Sequence, residues 1–196
     1  MHKPSHGVIK LLPDATEGMQ MTSKAIDLRT YIRNIPDWPK KGILFRDITP
    51  LLADPQAFAA AVKALSAGFS KTNIDYVAAV EARGFIFGSA VAEKLEAGFV
   101  PIRKKGKLPA ATESITYDLE YGTDTLEVHR DAIRSGAKVL MVDDLLATGG
   151  TMAAACKLIE KIGGCVEGAT FLVELKNLGG RAKMAGYKVT SVISYP

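Results

Sequence analysis

Two adjacent carboxylates, Asp143 and Asp144, are followed within a few residues by Ala147, Thr148, Gly149, Gly150 and Thr151. Glycine permits unusual backbone angles and close approach, and two hydroxyls can join main-chain N–H groups in pointing inward, so this run can curl around an anion. A helix starting there would add its positive end, which makes a phosphate group the natural occupant. Carboxylates do not hold phosphate. The partners of Asp143 and Asp144 are therefore sugar hydroxyls, met directly or through a divalent cation that also touches phosphate oxygens. Strand-to-helix turns also use Gly and Asp for capping alone, and it is the conjunction of two acids, two threonines and a double glycine that favours a ligand. Two further groupings are cationic: Arg83 in the segment EARG, whose forked guanidinium suits an anion, and the run Arg103, Lys104, Lys105 and Lys107. A basic flap closing over a polyphosphate would exclude water, which matters when the intermediate is a sugar cation.

The elements that must position these groups can be read from local patterns. The continuous apolar run VLMV over 139–142 suits a parallel strand covered on both faces. Met152, Ala155, Cys156, Ile159 and Ile162 then recur at offsets of three and four, the stripe of a helix packed on a sheet. Asp54 before Pro55 marks a helix start, with Phe58, Ala61, Val62, Leu65 and Phe69 as its apolar face. Strands are expected over 76–80, 98–102, 166–175 and 189–193, with a helix apolar on nearly every side over 85–95 and a short helix over 177–185 weakened by Gly179 and Gly180. Ser23 can cap a helix carrying Ile26, Leu28, Tyr31 and Ile32. Alternation of Ile115, Tyr117 and Leu119 with polar residues, a turn at Gly122 and a return over 125–128 predict a hairpin that can serve as a lid. The fold class is α/β, a doubly wound, mainly parallel five-stranded sheet, and in such sheets ligands bind at the carboxyl ends of the strands.

The 196 residues suffice for one domain with a full core, over 23–196, after an extension at 1–22 of mixed Pro, Gly, Ser and charge. With 47% apolar and 23% charged residues the composition is that of a globular protein. A net charge of +4 suits anionic ligands and is too mild to argue for nucleic acid. No apolar run approaches the ~18 residues of a membrane span, and the N-terminus lacks a signal-peptide pattern, which points to the cytoplasm. Cys156 and Cys165 are expected as buried free thiols.

The segment DDLLATGGT resembles the phosphoribosyl-diphosphate-binding signature of type I phosphoribosyltransferases, in the form found in the adenine phosphoribosyltransferases. GILFRDITPLL, EARGFIFG, RKKGKLP and LEYG follow that family's order, and the resemblance runs from about residue 26 onward. It implies a hood over about 23–50, a flexible lid over about 103–128, and transfer of the phosphoribosyl group of 5-phosphoribosyl 1-diphosphate to N9 of adenine, giving AMP and diphosphate. It implies Leu44, Phe45, Arg46 and Leu145 around adenine, with main chain at Leu44 and Arg46 reading the base edge. Ala147, Thr148, Gly149, Gly150 and Thr151 would take the 5′-phosphate, Asp143 and Asp144 the ribose. Arg83, Arg103, Lys104, Lys107 and Mg²⁺ would take the diphosphate, with a strained peptide just before Arg83. The enzymes for 6-oxopurines carry an Asp at the first position of the phosphate loop, where this chain has Ala147, so Glu120 in LEYG becomes the candidate for proton transfer and, with Arg83, for catalysis. A homodimer is the family expectation. Rival readings are transfer to another purine base, against which Ala147 and LEYG speak, and a regulator that senses the donor and binds DNA, for which the part before Gly42 is too short to supply a separate DNA-binding module.

Overall fold

The computed structural model describes residues 26–118 and 122–196. The extension at 1–22, the proposed Ser23 cap, and Leu119, Glu120 and Tyr121 lie outside the described residues. In place of the expected first helix there is a single 3-10 turn, Leu28–Tyr31, capped by the Asp27 side chain. Two short antiparallel strands follow, β1 (Arg33–Pro36) and β2 (Leu44–Asp47), which pair only with each other among the described residues. Helices α1 (Thr49–Ala53) and α2 (Pro55–Ala67) are separated at Asp54, whose carboxylate accepts the N–H groups of Gln56 and Ala57. Removing that cap by Asp54→Ala is expected to lower stability by about 1 kcal/mol, seen as a melting temperature lower by roughly 2–4 °C, with catalysis unchanged.

The main body begins with β3 (Tyr76–Val80), α3 (Arg83–Lys94) and β4 (Gly98–Lys104). The hairpin β5 (Thr112–Asp118) and β6 (Thr123–His129) comes next, then β7 (Lys138–Leu146), α4 (Gly150–Lys161) and β8 (Cys165–Leu175). A 3-10 turn, Lys176–Leu178, a one-turn helix α5 (Gly180–Lys183) and β9 (Val189–Tyr195) complete the chain. The helix expected over 177–185 is thus broken in two by Gly179, which takes the left-handed conformation at φ +65°.

Five strands run parallel in the order β4-β3-β7-β8-β9, and the hairpin adds β6 and β5 antiparallel beyond β4. This is the five-stranded doubly wound sheet with an appended hairpin. The apolar run of β7 serves both faces: Val139 and Met141 pack with α4, while Leu140 and Val142 pack with α1, α2 and α3. The first parallel strand, β3, has its crossover partner β4 on one side and β7 on the other, so the order in which strands are added reverses between β3 and β7 while all run parallel. That reversal opens a crevice at the carboxyl ends of the two strands.

Cys156 is buried as expected, and its thiol is pushed up to about 12 by burial. Cys165 is exposed instead, because it is the first residue of β8 and stands at the sheet margin opposite Lys138.

Candidate active site

The crevice between β3 and β7 is a cleft of about 260 Å³ lined by residues 80–83 and 143–152. It gathers Arg83, Asp143, Asp144, Leu145 and the whole run 147–151. Strand β7 extends through both acids to Leu146, further than the apolar run foretold, because β8 keeps pairing with it as far as Glu174. The acids are therefore held by a ladder and not by a loop.

Asp144 is buried, and its Oδ2 lies 2.9 Å from Nε of Arg83, the first residue of α3. The Asp144 N–H donates to Asp143 Oδ1 at 2.9 Å. Burial, reinforced by the charge of Asp144, pushes the Asp143 carboxyl well above the usual range; burial also raises Asp144, and the Arg83 guanidinium beside it works against that rise. Gly84, next after Arg83, leaves room for the Asp143 carboxylate: a Cβ there would lie 2.8 Å from Asp143 Oδ1 and 3.4 Å from the Val142 carbonyl. Sequence reasoning quoted this glycine within EARG without giving it a task. The peptide between Glu81 and Ala82, just before Arg83, is cis.

Past Leu146 the chain turns through Ala147, Thr148 and Gly149, the last at φ +77°, and enters α4 at Gly150. Among the described residues no side chain caps this helix. Its first-turn N–H groups are left for a ligand, and the helix dipole favours an anion there. Thr151 Oγ1 lies 3.2 Å from the Tyr117 hydroxyl, which ties hairpin strand β5 to the cradle; sequence reading had placed Tyr117 only in an alternating pattern.

The cationic run is distributed differently from its expected place in a loop. Arg103 and Lys104 still belong to β4, paired in register with Glu127 and Leu126 of β6. Arg103 contacts Glu81 at 3.2 Å and donates to the Lys107 carbonyl at 3.0 Å, while Lys104 Nζ lies 3.3 Å from Asp124. Burial would raise the Glu81 carboxyl, but the Lys104 N–H at 2.6 Å and the Arg103 guanidinium outweigh it and hold it below its ordinary value. Lys107 is exposed, and its charge also bears on Glu81. None of these three cations lines the cleft itself; they stand on its β4 side.

Of the segment expected as a hood, the Phe45 ring lies 5.4 Å from the Arg83 guanidinium. Trp38 packs edge-on against Phe45 at 4.4 Å between centroids, and Leu44 is exposed. The Arg46 side chain turns elsewhere, bonding Asn34 and stacking 3.8 Å from the Tyr195 ring centroid, so only its main chain is left for a base. Because β2 is paired along a single edge among the described residues, its other edge keeps backbone donors and acceptors of the kind that read a heterocycle's rim. Among the described residues no group of three or more His, Cys, Asp or Glu could hold a metal ion by itself. Two acids beside a helix start that can take an anion fit a cation carried mainly by substrate oxygens, with carboxylates reaching it through water.

A sheet with its ligand crevice at the β3 and β7 reversal, an acid pair and an uncapped, glycine-opened helix start is the architecture of a phosphoribosyltransferase, and the phosphoribosyl transferase domain family matches residues 51–194. The adenine phosphoribosyltransferase of Pseudothermotoga lettingae is 56% identical over 87% of this chain and 100% of its own length. The crystal structure of adenine phosphoribosyltransferase from Thermoanaerobacter pseudethanolicus is 52% identical, covers 86% of this chain and 98% of its own, and superposes with a TM-score of 0.83. The Saccharomyces cerevisiae enzyme, solved in complex with an imino-altritol bisphosphate and adenine, is 39% identical over 84% of this chain and 96% of its own, with a TM-score of 0.80. This chain belongs to the adenine phosphoribosyltransferase family.

Proposed function

We propose that the cleft between β3 and β7 carries out the reaction of this family: transfer of the phosphoribosyl group of 5-phosphoribosyl 1-diphosphate to N9 of adenine, forming AMP and diphosphate in purine salvage. The observation that carries the reading is the joining of Arg83, the Asp143 and Asp144 pair and the uncapped start of α4 in one cleft. The main chain of 147–151 with the Thr148 and Thr151 hydroxyls binds the 5′-phosphate. Asp143 and Asp144 accept hydrogen bonds from the ribose hydroxyls and fix the anomeric carbon. Departure of diphosphate builds negative charge on its oxygens and positive charge on the sugar ring. Arg83 meets the first, joined by Arg103, Lys104 and Lys107 once the lid folds in. Mg²⁺ bound with the donor would neutralise the leaving group, with Asp143 and Asp144 touching it through water. Adenine lies against Phe45, Leu44 and Leu145, its edge read by main chain at Leu44 and Arg46. A backbone carbonyl accepts from adenine's amino group and cannot accept from an oxopurine's oxygen.

With Ala147 where the oxopurine enzymes have an acid, the proton of the base's imidazole ring passes to Glu120 on the lid. The enzyme works in the cytoplasm, a reading that the exposed free thiol of Cys165 suits, and forms a homodimer, the expectation carried by the family. Adenine, donor and Mg²⁺ are expected to yield AMP and diphosphate by mass, with far slower turnover of hypoxanthine and guanine and loss of rate on chelation; equal rates on the three bases would defeat the assignment of the hood. Glu120→Gln is expected to lower kcat about 100-fold with both KM values near wild type, and undiminished turnover would remove Glu120 from proton transfer.

A further inference from the structure

Gly179 and Gly180 sit in the turn leading into α5, far along the chain from the phosphate cradle. Their tasks differ. Gly179 is left-handed with open space where a Cβ would stand, so it serves the turn. Gly180 serves an approach: a Cβ on it would lie 2.3 Å from the Ala147 carbonyl oxygen and 2.9 Å from Leu146 Cδ1. The contact is mutual, since a Cβ on Gly149 would lie 2.3 Å from the Gly180 carbonyl oxygen. Main chain is thus packed on main chain at Ala147 and Gly149, with no room for a side chain between.

The turn is also moored. Arg181 donates from Nε and Nη2 to the two oxygens of Glu174 at 2.6 and 2.8 Å, from Nη1 to the Val189 carbonyl at 3.0 Å and from Nη2 to Ser191 Oγ at 3.2 Å. Glu174 is 3% exposed and stands opposite Leu146 in the ladder of β7 and β8, beside the residue that opens the cradle. Its carboxylate is held below the ordinary range, first by the Arg181 hydrogen bonds, so the mooring is an ion pair.

We propose that Gly180 is the rear wall of the cradle and that Glu174 and Arg181 are positioning residues that keep this wall in register, so that affinity for the donor's 5′-phosphate is set by three residues that do not line the cleft. This rests on 147–151 being the 5′-phosphate site. A shift of a few tenths of an ångström at Ala147 and Gly149 re-aims the N–H groups that bind phosphate and leaves Arg83, Asp144 and the hood in place.

Ribose 5-phosphate, which carries the 5′-phosphate without diphosphate, is the probe. Gly180→Ala is expected to raise its Kd and the KM of the donor about tenfold, equivalent to about 1.4 kcal/mol, while the KM of adenine and kcat stay near wild type. Arg181→Met leaves Gly180 intact but frees the turn, and should move the same two constants in the same direction, with Arg181→Lys recovering part. It supplies the answer should Gly180→Ala fail to fold. A wild-type Kd for ribose 5-phosphate in a folded Gly180→Ala or Arg181→Met protein overturns the proposal, as does an equal rise in the KM of adenine or loss of folding in both variants. Thr151→Val separates the two readings. Unchanged ribose 5-phosphate binding in that variant defeats the cradle assignment itself, whereas weakened binding there with none in the turn variants defeats the wall alone.

Discussion

Arg83→Ala is expected to lower kcat/KM for the donor by roughly 100- to 1,000-fold, the loss typical when one preorganised donor to a developing charge is removed. Two effects combine. Arg83 brings five N–H donors to the carboxyl edge of β3, of which Nε is engaged by Asp144, so the terminal amino groups remain to meet a departing diphosphate. The same guanidinium is the countercharge of a buried acid pair. Both acids are raised first by burial, and Arg83 opposes the rise. Without it both titrate at higher pH, so the ionised pair to which the proposed reaction assigns the ribose is lost sooner on acidification. The acid limb of the kcat/KM profile should therefore move to higher pH in Arg83→Ala. Arg83→Lys should restore part of the charge effect on that limb but little of the rate, since an ammonium cannot hold Asp144 and a phosphate through one planar fork. A profile of wild-type height and position in Arg83→Ala would show that neither effect operates.

The position of Arg83 was legible in the sequence because everything that sets it is local: a short β-rich run, a loop and a helix start. The same holds for the cradle, where strand, turn and helix follow one another within DDLLATGGT, and for Asp54 before Pro55. What was not legible depends on partners far along the chain. That Arg103 and Lys104 belong to a strand follows from the register of β4 with β6, and their pairing with Glu81 and Asp124 from the neighbouring of β3, β4 and β6; neither is written in the run RKKGK. Gly180 read as a flaw in a helix, because propensity prices a glycine by its own backbone and is blind to the Ala147 carbonyl that a Cβ would strike. Gly84 was overlooked for the same reason, its constraint being a carboxylate on another strand. Cys165 was misplaced because an apolar residue at a strand's first position can lie beyond the covering helix.

The acid pair supplies the second large effect, and its sign is opposite for stability and for activity. Asp143→Asn keeps the shape of the side chain and an Oδ1 able to accept the Asp144 N–H, so the ladder and the contact with Gly84 survive. It removes the charge that, in the proposed reaction, a ribose hydroxyl or a water-bound cation meets, and kcat/KM should fall about 100-fold, the scale of a lost charge-directed contact in the transition state. Asp143 in the folded chain is raised well above the ordinary carboxylate range by burial and then by the charge of Asp144. A raised acid favours the folded state fully only below its unfolded pKa of about 4, and that contribution is lost as pH rises through the folded value, so at neutral pH, where the unfolded chain carries this group ionised, the buried carboxyl destabilises the fold. The Asn variant should accordingly melt higher than wild type at neutral pH, each 1 kcal/mol being worth roughly 2–4 °C in a chain of this size. The difference should narrow as pH falls from the folded toward the unfolded pKa and vanish well below pH ~4, where wild-type Asp143 is protonated in both states. Equal melting temperatures at neutral pH would mean that the carboxyl is not under strain from its neighbours. A stabilised but inactive Asp143→Asn would instead locate at this residue the exchange of stability for a charge placed where the sugar must be gripped.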